Sequence, residues 1–137
     1  MATSENGGST PITELVENSV VTVSPESSLE VAADLLVQGE IGALVVKGPG
    51  GVAGVLSERD LVRAIAERRD LAATTVGEIA HTNLVWCDST ATVVEVAAEM
   101  MEHYVRHVLV ETGGRFTGIV SARDLLGAYT SADMLVD

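Results

Sequence analysis

GVLSERDL, residues Gly54–Leu61, decides the fold because it returns as GIVSARDL at Gly118–Leu125. The second copy lies 64 positions after the first, and at that constant offset residues 11–65 align with residues 75–129 without a gap. The alignment contains 11 identities in 55 pairs, and many of the other pairs match one apolar residue with another. A repeat defines the structural unit, so we expect two similar units of about 55 residues each.

Length and composition favour two units that fold together. The chain has 137 residues, of which 47% are hydrophobic and only 3% are aromatic. A unit of about 55 residues would bury too little of its own surface to be stable, whereas two units that share apolar faces bury enough. The single cysteine, Cys87, excludes an intramolecular disulfide and favours a reducing compartment.

The charge balance excludes several classes of partner. The chain has 8 Lys and Arg against 20 Asp and Glu, a net charge of −12, which repels phosphate backbones. Few aromatic side chains are available to stack on bases, so we expect no nucleic-acid partner. No apolar run approaches the roughly 20 residues that span a bilayer, and the N-terminus lacks a signal-peptide core. We therefore expect a cytoplasmic protein without membrane contact.

The first repeat predicts the order strand, helix, strand, strand, helix. Val20–Val23 is a short β-branched run, and Ser28 is a predicted N-cap for a helix with apolar residues at helical spacing. Ile41–Val46 is almost continuously apolar, which is typical of a strand covered on both faces. Val52–Leu56 returns as the second strand of a hairpin, and Ser57 begins the second helix.

The second repeat predicts the same elements, so the expected fold class is α/β, with two pseudo-symmetric β-α-β-β-α units packed sheet to sheet. We expect Leu61, Val62, Ala64 and Ile65 to face the core, and Met100 and Met101 to fill gaps in it. The expected boundaries are an N-terminal tail at 1–10, a first domain at 11–68, a linker at 69–74, a second domain at 75–130 and a C-terminal tail at 131–137.

Asp60 and Asp124 are the first candidate binding residues, because each follows a Ser by three positions at a predicted helix start. A carboxylate in this position can accept hydrogen bonds from both vicinal hydroxyls of a ribose. Ser followed three residues later by an acid also matches a capping box, and the helix dipole favours an acid there. The sequence leaves both interpretations open, and they can coexist at one helix end.

The neighbours of these aspartates suit an anion. Ser57 and Ser121 are either helix caps or hydroxyl donors beside free backbone N–H groups that bind phosphate. Arg59 and Arg123 each precede an Asp, where a guanidinium either contacts a phosphate through two hydrogen bonds or faces solvent.

A catalytic centre is not readable in this sequence. Cys87, His81 and His103 are scattered, so they form neither a zinc pattern nor a nucleophile beside a base. The Gly pairs are hairpin turns without the lysine of a nucleotide-hydrolase loop. We expect a protein that is not an enzyme and requires no cofactor.

The repeated hairpin followed by Gly-apolar-apolar-Ser-x-x-Asp-apolar resembles the CBS domain family, named after cystathionine β-synthase, over about residues 11–129. Such domains occur as tandem pairs. The resemblance implies a regulatory module that binds an adenosine-containing ligand (AMP, ADP, ATP, S-adenosylmethionine or sometimes a dinucleotide) in clefts between the two domains. It also implies a homodimer, and an unidentified regulated protein that is a separate chain.

The resemblance further implies contacts where the central strand of each repeat begins. In the second repeat this start is Arg106-His107, whose side chains would meet the phosphates of the ligand. In the first repeat it is Gly42-Ala43, which would leave room for the ligand. Alternatively, His107 is a paired, partly buried imidazole and Arg106 a surface residue. The backbone contacts implied for adenine lie at Val20 and Leu84.

A second function remains open: a structural or stress-associated dimer that uses the same fold without a ligand. The first repeat lacks a basic residue at the start of its central strand, and the net charge of −12 opposes polyanionic ligands. Both observations favour this alternative.

Overall fold

A computed structural model of the chain describes residues 7–16 and 20–128. The predicted order of elements is confirmed in both repeats, and no described helix is long and apolar enough to cross a membrane. The first repeat contains β1 (Thr22–Val23), α1 (Leu29–Gly39), β2 (Ala43–Gly48), β3 (Gly51–Ser57) and α2 (Glu58–Ala66). The second contains α3 (Val76–Ile79), β4 (Trp86–Asp88), α4 (Val93–His103), β5 (His107–Thr112), β6 (Arg115–Ser121) and α5 (residues 122–128).

The strands form one three-stranded sheet in each repeat. β2 lies in the centre of the first sheet, parallel to β1 and antiparallel to β3, and β5 has the same place between β4 and β6. Ala43 pairs with Ser57 in the first hairpin, and His107 pairs with Ser121 in the second. A β-bulge interrupts both hairpins at the corresponding position. The equal registers confirm the α/β fold expected from the sequence repeat.

Local sequence explains where the first elements begin. Ser28 is the N-cap of α1, and its hydroxyl accepts a hydrogen bond from the Val31 amide at 3.2 Å, as predicted. Leu44, Val45 and Val46 are buried in succession, which confirms that β2 is covered on both faces. The local sequence pattern therefore predicted both the start of α1 and the burial of β2.

The chain divides into two compact units, Ser19–Leu84 and Met1–Asn18 together with Val85–Asp137. We call the residues that precede the first strand of each repeat its leading segment, residues 10–16 in the first repeat and 74–83 in the second. The first contains Ile12 and the second contains Val76. Each leading segment belongs to the unit built on the sheet of the other repeat. Ile12 and Val76 are fully buried there. The boundaries 11–68 and 75–130 describe the sequence repeats, and as domain boundaries they stay a prediction.

Backbone hydrogen bonds hold each leading segment at the start of a helix. The Leu29 amide at the beginning of α1 donates to the Thr74 carbonyl at 3.0 Å, and the Val93 amide at the beginning of α4 donates to the Thr10 carbonyl at 2.9 Å. The first N–H groups of a helix have no acceptor within the helix. The leading segments supply these acceptors in both units.

Three apolar side chains predicted to be buried are exposed. Val62, Ile65 and Met101 are 64%, 57% and 78% exposed, whereas Leu61 and Ala64 are buried. Successive residues of an α-helix are about 100° apart around its axis. The core side of α2 is filled by Leu61 and Ala64, so residues one position further along point away from it.

Gly54 of β3 allows a leading segment to approach closely, because a Cβ on Gly54 would lie 2.7 Å from the carbonyl oxygen of His81. His81 and Val55 exchange two backbone hydrogen bonds at this point, of 2.9 and 3.0 Å. We expect Gly54→Ala to lower the free energy of unfolding by about 1–3 kcal/mol, measured by urea denaturation. Gly50→Ala is the matched control, because no atom lies within 4 Å of its Cβ position. Equal stability of the two variants would contradict this account.

Candidate functional site

The junction between β3 and α2 positions Ser57 and Asp60. Ser57 ends the strand and caps the helix, and its hydroxyl accepts a hydrogen bond from the Asp60 amide at 3.2 Å. In return, Asp60 Oδ2 accepts a hydrogen bond from the Ser57 amide at 2.8 Å. This reciprocal pair is a capping box, so the capping interpretation of these two residues is confirmed.

The same geometry recurs at the junction between β6 and α5. Asp124 Oδ2 accepts a hydrogen bond from the Ser121 amide at 2.9 Å, and the Ser121 hydroxyl accepts one from the Asp124 amide at 3.1 Å. These bonds fix the position of the carboxylate relative to the end of the strand. Because the carboxylate takes part in capping through Oδ2 alone, its other oxygen lies outside the reciprocal pair.

The second repeat brings four of the predicted site residues to one end of its sheet. His107 begins β5 and pairs with Ser121, the last residue of β6. The carbonyl of Arg106 accepts a hydrogen bond from the Ala122 amide at 2.8 Å. Arg106, His107, Ser121 and Asp124 therefore share the open end of the β5–β6 hairpin. We call this group the second-repeat site.

The first repeat has the same arrangement with smaller side chains. Ala43 begins β2 and pairs with Ser57, and the Gly42 carbonyl accepts a hydrogen bond from the Glu58 amide at 2.9 Å. Asp60 lies one turn further along α2. We call Gly42, Ala43, Ser57 and Asp60 the first-repeat site.

Val20 and Leu84 lie just before β1 and β4. These strands run parallel to the central strands β2 and β5, so their beginnings lie at the same sheet end as the two sites. Both residues are half-buried. The structure thus places every predicted site residue of a repeat at one end of that repeat's sheet, and their role in binding stays a prediction.

The cations near the sites are accessible. Arg59, Arg106 and Arg123 are exposed, and none forms a salt bridge to a carboxylate in the described part of the chain. His107 is half-buried and has an interaction partner, and both interpretations given for it above stay predictions. Arg106 and Arg123 therefore have guanidinium groups available for an anion at the second-repeat site.

His81 is the residue that sequence reasoning missed. Its Nε2 atom lies 2.7 Å from Asp60 Oδ1, and the Asp60 side chain is only 5% exposed. The two residues are 21 positions apart, and the contact arises because the leading segment that carries His81 lies along β3. No local pattern in the sequence signals such a contact.

A small cavity lies beside Asp60, with a volume of about 190 Å³. Arg63, Glu67, Arg69 and Glu78 contribute charged groups to its wall, and Arg69 Nε forms a 3.1 Å ion pair with Glu67. Small-molecule pockets usually begin at about 300 Å³. This cavity alone is therefore too small for a nucleotide.

One group of potential metal ligands lies on α4, where the ligand atoms of Glu99, Glu102 and His103 are within 4.8 Å of one another. His103 Nε2 lies 3.5 Å from Glu99 Oε1, as an i,i+4 ion pair. Glu102 and His103 are exposed, and all three residues come from one helix. Their arrangement is accounted for as charge pairing on a solvated helix surface.

Cys87 lies in β4 and is half-buried. Burial raises the pKa of its thiol from 9.0 to about 11, and the negative charges of Asp88, Glu99 and Glu111 act in the same direction. The thiol is therefore protonated near neutral pH. This protonation state disfavours a role for Cys87 as a nucleophile.

Comparison with known proteins gives a consistent result. The family model described as the CBS domain matches the chain twice, at residues 12–67 and 76–131. Hypoxic response protein 1 of Mycobacterium tuberculosis is 32% identical over 114 residues, which cover 82% of this chain and 80% of that protein. A crystal structure of Hypoxic Response Protein I, described with two coordinated zinc ions, has a TM-score of 0.68 at 30% identity and covers 86% of this chain and 98% of its own.

Two further solved structures are similar over most of their length. The CBS-domain containing protein ATU1752 from Agrobacterium tumefaciens is 35% identical, with a TM-score of 0.79 and coverage of 89% of this chain and 95% of its own. The CBS domain protein PAE2072 from Pyrobaculum aerophilum, complexed with AMP, is 26% identical, with a TM-score of 0.74 and coverage of 88% and 98%. The predicted α/β fold class is confirmed by these likenesses.

The raised pKa of Cys87 predicts slow alkylation of the folded protein. At pH 8, a thiol with a pKa of about 11 has a thiolate fraction about 100-fold smaller than a thiol with a pKa of 9.0. We expect iodoacetamide to modify Cys87 more slowly in the native protein than in urea by a factor of this order, measured by mass spectrometry, with Cys87→Ser as the control. Because ionisation favours the unfolded chain, stability should fall as pH rises from 9.0 towards 11. Equal alkylation rates would contradict the burial of this thiol.

Proposed function

The chain belongs to the CBS domain family, and on this basis we propose that it is a regulatory module that binds an adenosine-containing nucleotide and signals to a separate partner protein. The proposed ligand is AMP, ADP, ATP or S-adenosylmethionine. It acts as a regulatory ligand, and the module itself is not catalytic and requires no cofactor. A cytoplasmic location and the absence of nucleic-acid and membrane partners belong to the same proposal, because they follow from composition and charge.

The observation that carries the proposal is the placement of Arg106, Asp124 and Arg123 near one end of the β5–β6 hairpin. In the proposed complex, Asp124 accepts hydrogen bonds from the ribose hydroxyls, while the two guanidinium groups and the Ser121 hydroxyl contact phosphate. The backbone at Leu84 is the proposed contact for adenine. The AMP complex of PAE2072, at 26% identity, supports an adenine nucleotide as the first ligand to test.

The strong negative charge of the chain does not oppose this binding mode. Repulsion between exposed charges is screened beyond about 8 Å at physiological ionic strength. A phosphate at the second-repeat site would be close to Arg106 and Arg123, which are exposed and lack described carboxylate partners. Repulsion by distant groups of the chain, whose net charge is −12, is therefore screened, while the two nearby guanidinium groups would attract the phosphate.

Capping and ligand binding are compatible at Asp124. An ionised carboxylate has about four acceptor positions, and the described capping contact to the Ser121 amide uses one of them on Oδ2. The cap also holds the side chain in one orientation. A group that is already ordered loses less conformational entropy on binding, so the cap favours affinity.

Thermal unfolding with AMP tests the proposed function. At 100 times its dissociation constant, AMP should stabilise the wild type by about 2.7 kcal/mol, and Asp124→Asn should remove most of this gain. Glu95→Gln is the matched control, because Glu95 is the capping-box acid of α4 in the same unit and accepts a 2.9 Å hydrogen bond from the Thr92 amide. The Glu95→Gln variant should lose a similar helix cap and keep the stabilisation by AMP.

One result would refute the nucleotide proposal as a whole: a wild type that responds to none of AMP, ADP, ATP and S-adenosylmethionine. It would favour the alternative, a dimer that uses the fold as a scaffold without a ligand. An equal loss of response in Asp124→Asn and Glu95→Gln would instead assign Asp124 to helix capping and refute its proposed contact with the ribose.

Both functions include a homodimer, and exposed apolar residues support it. Val62 on α2 and Leu126 on α5 occupy corresponding positions in the two repeats and are 64% and 67% exposed. Val37 on α1 and Met101 on α4 also correspond and are 76% and 78% exposed. Single exposed apolar residues are common, but the recurrence at the same repeat positions favours contacts of these residues with a partner protomer.

Substitution of these positions tests the dimer. The double change Val62→Glu and Leu126→Glu should convert a dimer into a monomer in light scattering after gel filtration, because it would bury unpaired carboxylates in the interface. Val94→Glu is the control, since Val94 is 54% exposed but its counterpart in the first repeat is Glu30. A wild type that is monomeric at micromolar concentration would refute the proposed dimer.

A further inference from the structure

The two repeated aspartates differ in their hydrogen bonds, although their local sequences match. Asp60 Oδ2 accepts hydrogen bonds from the Ser57 amide at 2.8 Å and the Ser57 hydroxyl at 2.9 Å, and Oδ1 lies 2.7 Å from His81 Nε2. The hydrogen bonds described for Asp124 run to Ser121 alone. Both oxygens of Asp60 therefore have hydrogen-bond partners, and the partner of Oδ1 is His81.

Backbone contacts bring His81 to Asp60. The His81 amide donates to the Val55 carbonyl at 2.9 Å, and the His81 carbonyl accepts from the Val55 amide at 3.0 Å. The close approach is allowed by Gly54, which has no Cβ. The His81 side chain is 58% exposed, so its ring can turn into solvent while the backbone bonds remain. His81 is thus a partner of Asp60 that a ligand can displace.

The repeat offset indicates that this partner is specific to the first repeat. The residue 64 positions before His81 is Glu17, which lies outside the described residues. An ionised carboxylate has no proton to donate to another carboxylate. The sequence therefore predicts no equivalent of the His81–Asp60 hydrogen bond at Asp124.

We propose that His81 competes with the ribose of an adenine nucleotide for Asp60, so that the second-repeat site binds nucleotide more tightly than the first-repeat site. This inference rests on the proposed function, because it assigns unequal affinities to its two candidate carboxylates. A ribose that engages both oxygens of Asp60 must first displace the imidazole. Hydrogen bonds to an ionised acceptor are among the stronger ones in proteins, so the displacement reduces affinity.

Calorimetric titration of the full chain with AMP tests the inference in an Asp124→Asn background, which removes the second-repeat site. Adding His81→Ala should raise the affinity of the remaining site by about tenfold. Adding Asp60→Asn to that variant should remove the gain, and a gain that persists would refute an action of His81 through Asp60. His81→Gln keeps a hydrogen-bond donor near Asp60 and should leave the affinity low. If His81→Ala does not fold, His81→Leu replaces it, because leucine fills more of the space without a donor.

The outcomes separate this inference from the proposed function. If the wild type binds AMP through Asp124 but His81→Ala gives no gain in the Asp124→Asn background, the competition by His81 is refuted and the proposed function stands. If neither the wild type nor any His81 variant binds AMP, both the proposed function and this inference are refuted.

Discussion

An edge strand and a helix N-terminus each leave backbone groups without partners, and here both are completed by the leading segment of the other repeat. In the unit Ser19–Leu84, this segment supplies an acceptor to the first amide of α1 and pairs with the edge of β3 through His81. It also buries Val76 completely in the core. Ile12 occupies the corresponding place in the other unit. Both the fold and the environment of Asp60 depend on this exchange.

The same side chains serve stability and the proposed binding at each strand–helix junction. The Ser–x–x–Asp pattern satisfies helix amides and, at the same time, fixes a carboxylate at the end of a sheet where other predicted contacts converge. The sequence alone could not separate the two roles because one geometry serves both. The structure distinguishes the two repeats instead, since Asp60 has a second partner residue in His81, whereas the hydrogen bonds described for Asp124 run to Ser121 alone.

Features governed by local sequence could be predicted. The cap at Ser28, the continuous burial along β2 and the repeated junctions follow from residue type and spacing over a few positions. Side-chain exposure on the helices was predicted less well, because apolar periodicity does not tell how wide a stripe the core covers, and Val62 and Met101 lie beyond it. The His81–Asp60 contact could not be predicted, because it depends on which sheet the leading segment joins.

The exchange of leading segments has a consequence for how such a protein could arise. A polypeptide with a single repeat would lack the leading segment that, in this chain, the other repeat supplies to its unit. Two such polypeptides could restore this packing by exchanging leading segments, a step that depends on concentration. Joining two copies in tandem makes the exchange of leading segments intramolecular, so the effective concentration of each segment becomes independent of the expression level. Gene duplication with fusion would thus favour folding of each unit before the two copies diverged in any binding property.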